Sequence, residues 1–310
     1  MKNLILLELN EINFDVARYY IDSGVSLSGF DRMLREGVTI TDSEIEYENL
    51  EPWIQWPSVH IGKKFKEHKI FRLGDIINST DEQYFEKVEN AGFKVGAVSP
   101  MNASNKLEAP AYFIPDPWTD TPSDGGFFSR AIASAVSQAV NDNSKSRLTM
   151  STISSLGGAF LVLVRPSRFM SLIKYACGAL GKPWRKALFL DMLLYEIHRT
   201  LFKRKKPNFS TLFLNAGAHI QHHYFYNSPF VTAPELKNPA WYVEESADPI
   251  LEMLKIYDDI ILDLLDLPAT EIIIATGLSQ KPYEELKFYY RLIDHKGFLT
   301  AIGIDFVDVT

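Results

Sequence analysis

Cysteine is almost absent from this chain: Cys177 is the only one among 310 residues, so no disulfide can form within the molecule. This usage is typical of proteins kept in a reducing compartment. Long apolar runs are missing too, because the longest, Leu156–Val164, is well short of the roughly 20 residues that cross a bilayer. The start, Met1–Glu8, reaches a carboxylate too early for a signal peptide. We therefore expect a cytoplasmic protein without a transmembrane segment.

The sequence also has no excess of positive charge, with 32 Lys and Arg against 39 Asp and Glu and a net charge of −7. Nonspecific nucleic-acid binding requires a basic surface, so we expect no nucleic-acid partner. Local basic clusters occur at 165–168, 182–186 and 202–206. They would suit peripheral contact with a membrane surface, although such clusters are more often a solvated face. Composition does not indicate an oligomeric state.

Three common motifs are missing: the Walker phosphate loop, the G-x-G-x-x-G dinucleotide loop and the H-E-x-x-H zinc motif. What is present is an alternation of short apolar runs with helical patterns. Continuous apolar runs of this length predict strands buried on both faces. The predicted strands are Leu4–Leu9, Lys94–Ser99, Ser210–Asn215 and Glu271–Thr276. We therefore expect an α/β fold with a mainly parallel central sheet and helices on both faces.

Residues 1–310 are predicted to form one domain. The helical period predicts helices at 13–21, 82–90, 127–140, 187–203 and 249–265. Asp248 is the expected N-cap of the last of these. The region 120–208 is expected to be a helical insertion that caps the sheet, with a continuation of the core as the alternative. The sequence ends soon after a further predicted strand, Gly303–Val307, which suggests truncation at the C-terminus.

Polar side chains follow the predicted strands, at the sheet edge where doubly wound folds bind ligands. Asn10 and Glu11 follow the first strand, Asn102 the second and Asn215 the third. We expect these four residues to contact a substrate. Asp116, held rigidly between two prolines, is a further candidate, although a structural turn residue would look the same.

Three of the seven histidines lie within five residues, at His219, His222 and His223. On a helix, His219 shares a face with each of the other two. Such a face suits a metal ion or proton transfer, so His219 and His222 are predicted catalytic residues and all three are candidate ligands. Glu8 is a candidate carboxylate ligand. Imidazoles favour zinc over magnesium, but one divalent ion, none, and a purely structural role all stay open.

The segment Glu51–Gly62 is bounded by proline and rich in aromatic and polar residues. Trp53, Gln55 and Trp56 suit the wall of a pocket, where aromatic faces pack on sugars or bases. The alternative is a loop whose aromatic side chains fill the core.

The same segment contains three candidate catalytic residues, Glu51, Ser58 and His60. Ser58 and His60 could act as nucleophile and base. The G-x-S-x-G context that presents a serine nucleophile in many hydrolases is missing around Ser58.

Several stretches together resemble phosphodiesterases and phosphohydrolases of the alkaline phosphatase superfamily. They keep the family's order and cover nearly the whole chain. The stretches are LNEINFD at 9–15, WPSVHIGKKFKEHKIF at 56–71, and residues 95–102, 213–222, 256–265 and 272–278. The resemblance implies that superfamily's α/β fold, with two divalent ions that hold a phosphoryl group while a Thr or Ser attacks it.

The positions that match the family's metal ligands depart from the pattern. Asn10, Ala218, Thr276 and Gly277 stand there, while His222 is retained, and the nucleophile position falls on Pro52 or, with a shift of one residue, Glu51. Two close divalent ions need several anionic ligands, so we expect no two-metal centre of the usual kind. Substitute ligands would have to come from Glu8, Glu11, Glu51, His219, His223 and the Asp294–His295 pair.

Three functions stay open. The first is a hydrolase or transferase acting on a small-molecule or glycan-type phosphate ester, through a rebuilt site with one metal or none. The second is a catalytically inactive relative that binds a glycan-like or nucleotide-like ligand. The third is an enzyme of another transfer class that uses a His or Glu as base.

Overall fold

The computed structural model describes residues 2–42, 44–140, 158, 160–233, 235–285, 292–305 and 307. At its centre is a five-stranded sheet in the order β3-β2-β4-β1-β5, in which every neighbouring pair is parallel. The strands are β1 Asn3–Leu9, β2 Val95–Val98, β3 Tyr112–Ile114, β4 Phe209–Leu214 and β5 Thr270–Ala275. The predicted α/β class with a parallel central sheet is therefore confirmed.

All four strands expected from the apolar runs are present, and they are direct neighbours in the sheet. β1 lies between its two partners, with Leu4 opposite Phe209 of β4 and Glu271 of β5. The sequence does not predict β3, because this edge strand has only three residues and a proline follows it directly.

Apolar side chains cover both faces of the sheet. On β1, Ile5, Leu7 and Leu9 are completely buried in the larger core, whereas Leu4 and Leu6 pack into a second cluster. Successive side chains of a strand point to opposite faces, so a strand covered on both sides has a continuous apolar run. This is why β1 is easily recognised in the sequence.

Helices supply the covering layers. The helices are α1 Phe14–Asp22, α2 Ser28–Glu36, α3 Pro52–Ile61, α4 Phe65–His68, α5 Tyr84–Asn90, α6 Phe127–Val140, α7 Pro166–Gly178, α8 Trp184–Lys205, α9 Ala216–Tyr224, α10 Pro249–Leu265 and α11 His295–Ala301. The larger core receives side chains from α1, α2, α8, α9 and α10, and the second cluster receives Phe85 from α5.

Side-chain caps fix where two of these helices begin. The carboxylate of Asp248 accepts a hydrogen bond from the Leu251 backbone N–H at 2.9 Å, as predicted for the start of α10. The amide oxygen of Asn13 accepts from the Asp15 N–H at 2.9 Å and starts α1, directly after the strand that leads to the site.

The segment Glu51–Gly62 is not a loop, because it contains the helix α3, Pro52–Ile61. Glu51 is its N-cap residue, Pro52 stands in the first turn, and Gly62 ends the helix with a φ of 73°. The sequence pattern is misleading because Pro57 lies inside the helix, where proline removes a backbone hydrogen bond.

The predicted strand Gly303–Val307 is wrong. Gly303 and Ile304 donate their backbone N–H groups to the carbonyls of Thr300 and Leu299, which terminates α11. Residues 303–305 have no strand partner, and residue 306 lies outside the described residues.

Within the region 120–208, expected as an insertion, α8 lies directly on the sheet. Its His198 Nε2 is 2.8 Å from Ser210 Oγ on β4, and the Tyr112 hydroxyl is 2.7 Å from the same atom. Burial lowers the pKa of His198 to about 3, so this imidazole is neutral. The Tyr112 ring covers Gly96 of β2, where a methyl group would overlap it.

Arginines of two basic clusters form ion pairs within the molecule. Arg165 contacts both Glu196 and Asp263, and Arg185 Nη2 is 2.8 Å from Glu252 Oε1. Across the described part of the chain, no helix combines the length and the apolar character needed to span a bilayer.

Candidate functional site

A pocket of about 250 Å³ lies at the carboxyl ends of β1 and β4, the edge where doubly wound sheets bind ligands. Residues far apart in the sequence meet here. Those that the sequence had singled out are Asn10, Glu11, Trp53, Asn215, His219 and His222. The others that line it are Pro52, Leu73, Met101, Trp118 and Ala218.

Glu11 is held in place through its backbone. Its φ of 58° is unusual for a residue other than glycine. Its N–H donates to the Thr276 carbonyl at 2.9 Å, and its own carbonyl accepts from Gln221 Nε2 at 2.7 Å and from the Gln280 N–H at 3.2 Å. The turn after β1 is therefore tied to the ends of β5 and α9, and it fixes the direction of the Glu11 side chain.

The carboxylate of Glu11 forms a pair with His222. Glu11 is buried, and its Oε2 lies 3.3 Å from His222 Nε2, while the His222 side chain is 63 % exposed. Gln280 Nε2 donates to the same Oε2. A buried carboxylate thus orients an accessible imidazole, the arrangement that proton-transferring histidines use in enzymes.

Glu51, the N-cap residue of α3, lies close enough to Glu11 and His222 for both to influence its pKa. Its pKa is raised, first by partial burial and then by the negative charge of Glu11, while the nearby His222 opposes the shift. Glu51 therefore holds its proton to higher pH than an ordinary glutamate does. A carboxyl group with a raised pKa and an accessible imidazole can divide the roles of acid and base.

His219 and His223 differ from His222. The surrounding protein desolvates His219 and, with the neighbouring histidines and Lys186, lowers its pKa to about 4, so His219 is neutral at pH 7. Burial and His222 also lower the pKa of His223, whose Nδ1 is 2.7 Å from the Tyr242 hydroxyl. His219 lines the pocket as a neutral hydrogen-bonding group, whereas His223 forms its hydrogen bond with Tyr242 outside the pocket.

Two asparagines at the strand ends form a short chain of hydrogen bonds. Trp56 Nε1 donates to Asn10 Oδ1 at 2.8 Å, and Asn10 Nδ2 donates to Asn215 Oδ1 at 2.8 Å. The remaining polar atom of the Asn215 side chain is Nδ2, a donor on a residue that lines the pocket.

Trp56 also decides whether the two-metal centre of the resembled family fits. Its indole is fully buried, and it lies so close to Gly277 that a Cβ there would be 2.9 Å from the nearest ring atom. The ring therefore occupies the space between two positions, Asn10 and Gly277, where that family has metal ligands. In the described residues, His, Cys, Asp and Glu side chains form no group of three or more able to hold a metal ion. The residues present do not fit a two-metal centre.

Glu8 and His60 lie together in the interior and do not line the pocket. Both side chains are completely buried, with Glu8 Oε1 3.3 Å from His60 Nε2 and 2.9 Å from the Tyr84 hydroxyl. Among the described residues, Glu8 Oε2 and His60 Nδ1 have no hydrogen-bond partner. Glu8, a candidate metal ligand in the sequence, is instead part of this buried pair.

Ser58 pairs with His68 and not with His60. Ser58 Oγ is 2.9 Å from His68 Nε2, while His68 Nδ1 accepts the Ile70 backbone N–H at 3.0 Å. Because Nδ1 is an acceptor, the neutral imidazole carries its proton on Nε2 and donates it to Ser58. Burial lowers the pKa of His68, which favours this neutral form. His68 therefore cannot accept the proton of Ser58, and Ser58 is not an activated nucleophile.

We expect Ser58→Ala to leave the turnover of any substrate within about twofold of the wild type, because its hydroxyl has no base to activate it. The measurement is kcat of the purified variant at saturating substrate. A loss of a hundredfold or more would reinstate Ser58 as the nucleophile and contradict the tautomer assigned to His68.

Three residues expected to bind substrate are part of the scaffold. Asn102 Nδ2 donates to the Trp53 carbonyl at 2.7 Å, the group left without a helical partner by Pro57. Asp116 accepts the Asn102 N–H at 2.8 Å and the Trp118 N–H at 2.7 Å. These bonds are those of a structural turn residue, the alternative to substrate binding that the sequence left open for Asp116.

Gln55 is likewise structural, since it is buried and its Nε2 donates to the Asn49 carbonyl at 2.8 Å.

Sequence reasoning missed two polar residues that support the site. Gln280 follows β5 and could have been found by the rule that strand ends carry ligands. Asp191 could not, since it lies in the middle of α8. Its carboxylate accepts the backbone N–H groups of Asn215 at 3.2 Å and Ala216 at 2.8 Å, and so caps the helix that carries the histidines.

Asp191 should make stability depend on pH. Burial raises its pKa to about 6, against the hydrogen bonds from Tyr257, Ala216 and Asn215. A carboxyl group with a raised pKa stabilises the fold fully below its unfolded pKa, and this contribution is lost as pH rises through the folded pKa. Relative to Asp191→Asn, the wild type should lose roughly 3 kcal/mol of unfolding free energy between about pH 4 and 6. Urea unfolding at several pH values measures this difference, and parallel curves for the two proteins would refute it.

Compared with known proteins, the chain matches no protein-family model, no curated protein and no solved structure.

Proposed function

We propose that this chain is a hydrolase or transferase acting on a phosphate-type ester, of the general kind found in the alkaline phosphatase superfamily, with a rebuilt site. The observation that carries the proposal is the contact of 3.3 Å between Glu11 and His222 in the pocket. The family resemblance supports the substrate class, since His222 and the strand-end location agree with it.

In this proposal His222 is the general base. It takes a proton from water, or from an acceptor hydroxyl, as that oxygen attacks phosphorus, and Glu11 stabilises the imidazolium that forms. Glu51 stands next to Pro52, which lines the pocket, and its raised pKa makes it the proposed proton donor to the oxygen of the leaving group. The Asn215 amide can donate a hydrogen bond to the phosphoryl oxygens as their charge grows.

Charge favours a diester over a monoester as the substrate. Among the described residues that line the pocket, Glu11 is the acidic residue, and none is Lys or Arg. A monoester dianion would be repelled by this lining, whereas a diester has a single negative charge.

The test is the release of nitrophenolate from bis(4-nitrophenyl) phosphate and from 4-nitrophenyl phosphate by the purified full chain, each with and without added zinc. We expect turnover of the diester above the uncatalysed rate, and a smaller effect on the monoester. Failure to accelerate either compound under both conditions would overturn the proposal.

A second candidate is a binding protein for the same class of ligand. The observation that favours it is Trp56, whose indole fills the space between Asn10 and Gly277. Diester binding without any acceleration of its hydrolysis would support this candidate.

A further inference from the structure

A second cavity of about 250 Å³ lies next to the site, between α6, α8 and the sheet edge. Its walls are mainly aliphatic. Val136 and Val140 of α6 face Ala187, Leu190 and Leu194 of α8 across it. We call this cavity the apolar chamber.

The pocket that contains Glu11 and His222 is called the catalytic pocket from here on. It shares walls with the apolar chamber. Trp118, Asn215 and His219 line both cavities. A ligand that reaches past these three side chains would therefore occupy both spaces. Together the two cavities fall in the range of roughly 300–1,000 Å³ that is usual for small-molecule sites.

Polar side chains are a minority of the chamber lining: they are Ser99, Lys186 and Asp191, together with Asn215 and His219 at the wall shared with the pocket. The Asp191 carboxylate is already used. Asp191 accepts two backbone N–H groups and the Tyr257 hydroxyl at 2.6 Å. Lys186 is solvent-exposed at the chamber wall. A sugar or a base in this space would leave many of its polar groups without partners, which is costly. An alkyl group has no such requirement.

We infer that the substrate is amphiphilic, with its phosphate ester in the catalytic pocket and an aliphatic chain in the apolar chamber. This inference rests on the proposed function and names its substrate class. Since one water occupies about 30 Å³ in the liquid, and a methylene group a similar volume, the chamber can hold a chain of about eight carbons.

The inference is tested by binding, independently of turnover. Calorimetry of the full chain with methyl alkyl phosphate diesters, from methyl butyl to methyl dodecyl and below their micelle concentrations, gives Kd for each length. Each buried methylene should tighten Kd about fourfold, until the chamber is full near about eight carbons, after which Kd levels off. A Kd that does not change with chain length would overturn the inference.

A matched pair of variants locates the effect. Ala187→Phe places a ring in the chamber and should abolish the gain in affinity beyond short chains. Ala176→Phe adds the same ring at an exposed position of α7 and should keep the wild-type series. If both variants behave alike, the alkyl chain of the ligand binds elsewhere and the inference fails. If Ala187→Phe does not fold, the dependence of the wild-type Kd on alkyl-chain length still tests the inference.

The outcomes separate this inference from the proposed function. Dependence on chain length without hydrolysis would support the apolar chamber and reject the enzyme. Hydrolysis with an affinity that is independent of chain length would support the enzyme and reject the chamber.

Discussion

His60→Ala is expected to lower the free energy of unfolding by about 2–5 kcal/mol, because it removes a completely buried side chain that contacts the Glu8 carboxyl group. In the wild type, Glu8 Oε1 has two neighbours, His60 Nε2 at 3.3 Å and the Tyr84 hydroxyl at 2.9 Å. Without the imidazole, the carboxyl group keeps only Tyr84 and adjoins a new cavity, and both changes are unfavourable in the interior. Urea unfolding, followed by fluorescence and circular dichroism, measures the effect.

Two further variants control this experiment. The double variant Glu8→Leu with His60→Leu replaces the pair by apolar side chains and should recover most of the lost stability, because replacing both partners of a buried polar pair by apolar groups is often nearly neutral. Glu8→Gln keeps an acceptor for Tyr84 and should cost less than His60→Ala. A loss below about 1 kcal/mol for His60→Ala would show that the pair is not energetically important.

His222→Ala is expected to lower kcat for the diester by about 10²- to 10⁴-fold, the usual contribution of a general base. Glu11→Gln should lower it by a smaller factor, since the imidazole remains but loses the carboxylate that stabilises its charged form. Both variants should bind substrate with little change in Kd, because in the proposed mechanism the Glu11–His222 pair acts on the attacking oxygen. The measurement is single-turnover kinetics together with calorimetry.

His223→Ala is the matched control, as His223 is one residue away on the same helix and bonds to Tyr242 outside the pocket. It should retain kcat within about twofold. If His222→Ala and His223→Ala reduce kcat equally, the loss comes from a disturbed helix α9. If His222→Ala retains more than half of the wild-type kcat, His222 is not the base.

The strands and the strand-end residues could be predicted because their signals are local. The apolar run of β1 and the cap of Asp248 each depend on neighbouring residues alone. The same applies to Asn10 and Asn215, which follow strands that were correctly recognised. Since parallel strands end at one edge of the sheet, their meeting in one pocket follows from the topology.

The features that the sequence did not reveal depend on contacts between distant segments. Trp56 and Asn10 are 46 residues apart, and their hydrogen bond decides that the indole is part of the scaffold. The partner of Ser58 is His68 and not the nearer His60, because Ser58 and His60 are two residues apart in α3 and lie on different sides of the helix. No local pattern contains this information.

The position of β1 in the sheet has a consequence for synthesis on the ribosome. β1 emerges first, yet it pairs only with β4 and β5, which begin about 200 residues or more later along the chain. At typical elongation rates its edges wait unpaired for roughly 10 to 55 seconds, while β2 and β3 can already associate. Bringing such distant segments together is slow, because the closure of a long loop costs entropy before any contact forms. The strand that carries Asn10 and Glu11 thus depends on β4 and β5, both far along the chain, to be protected from aggregation during folding.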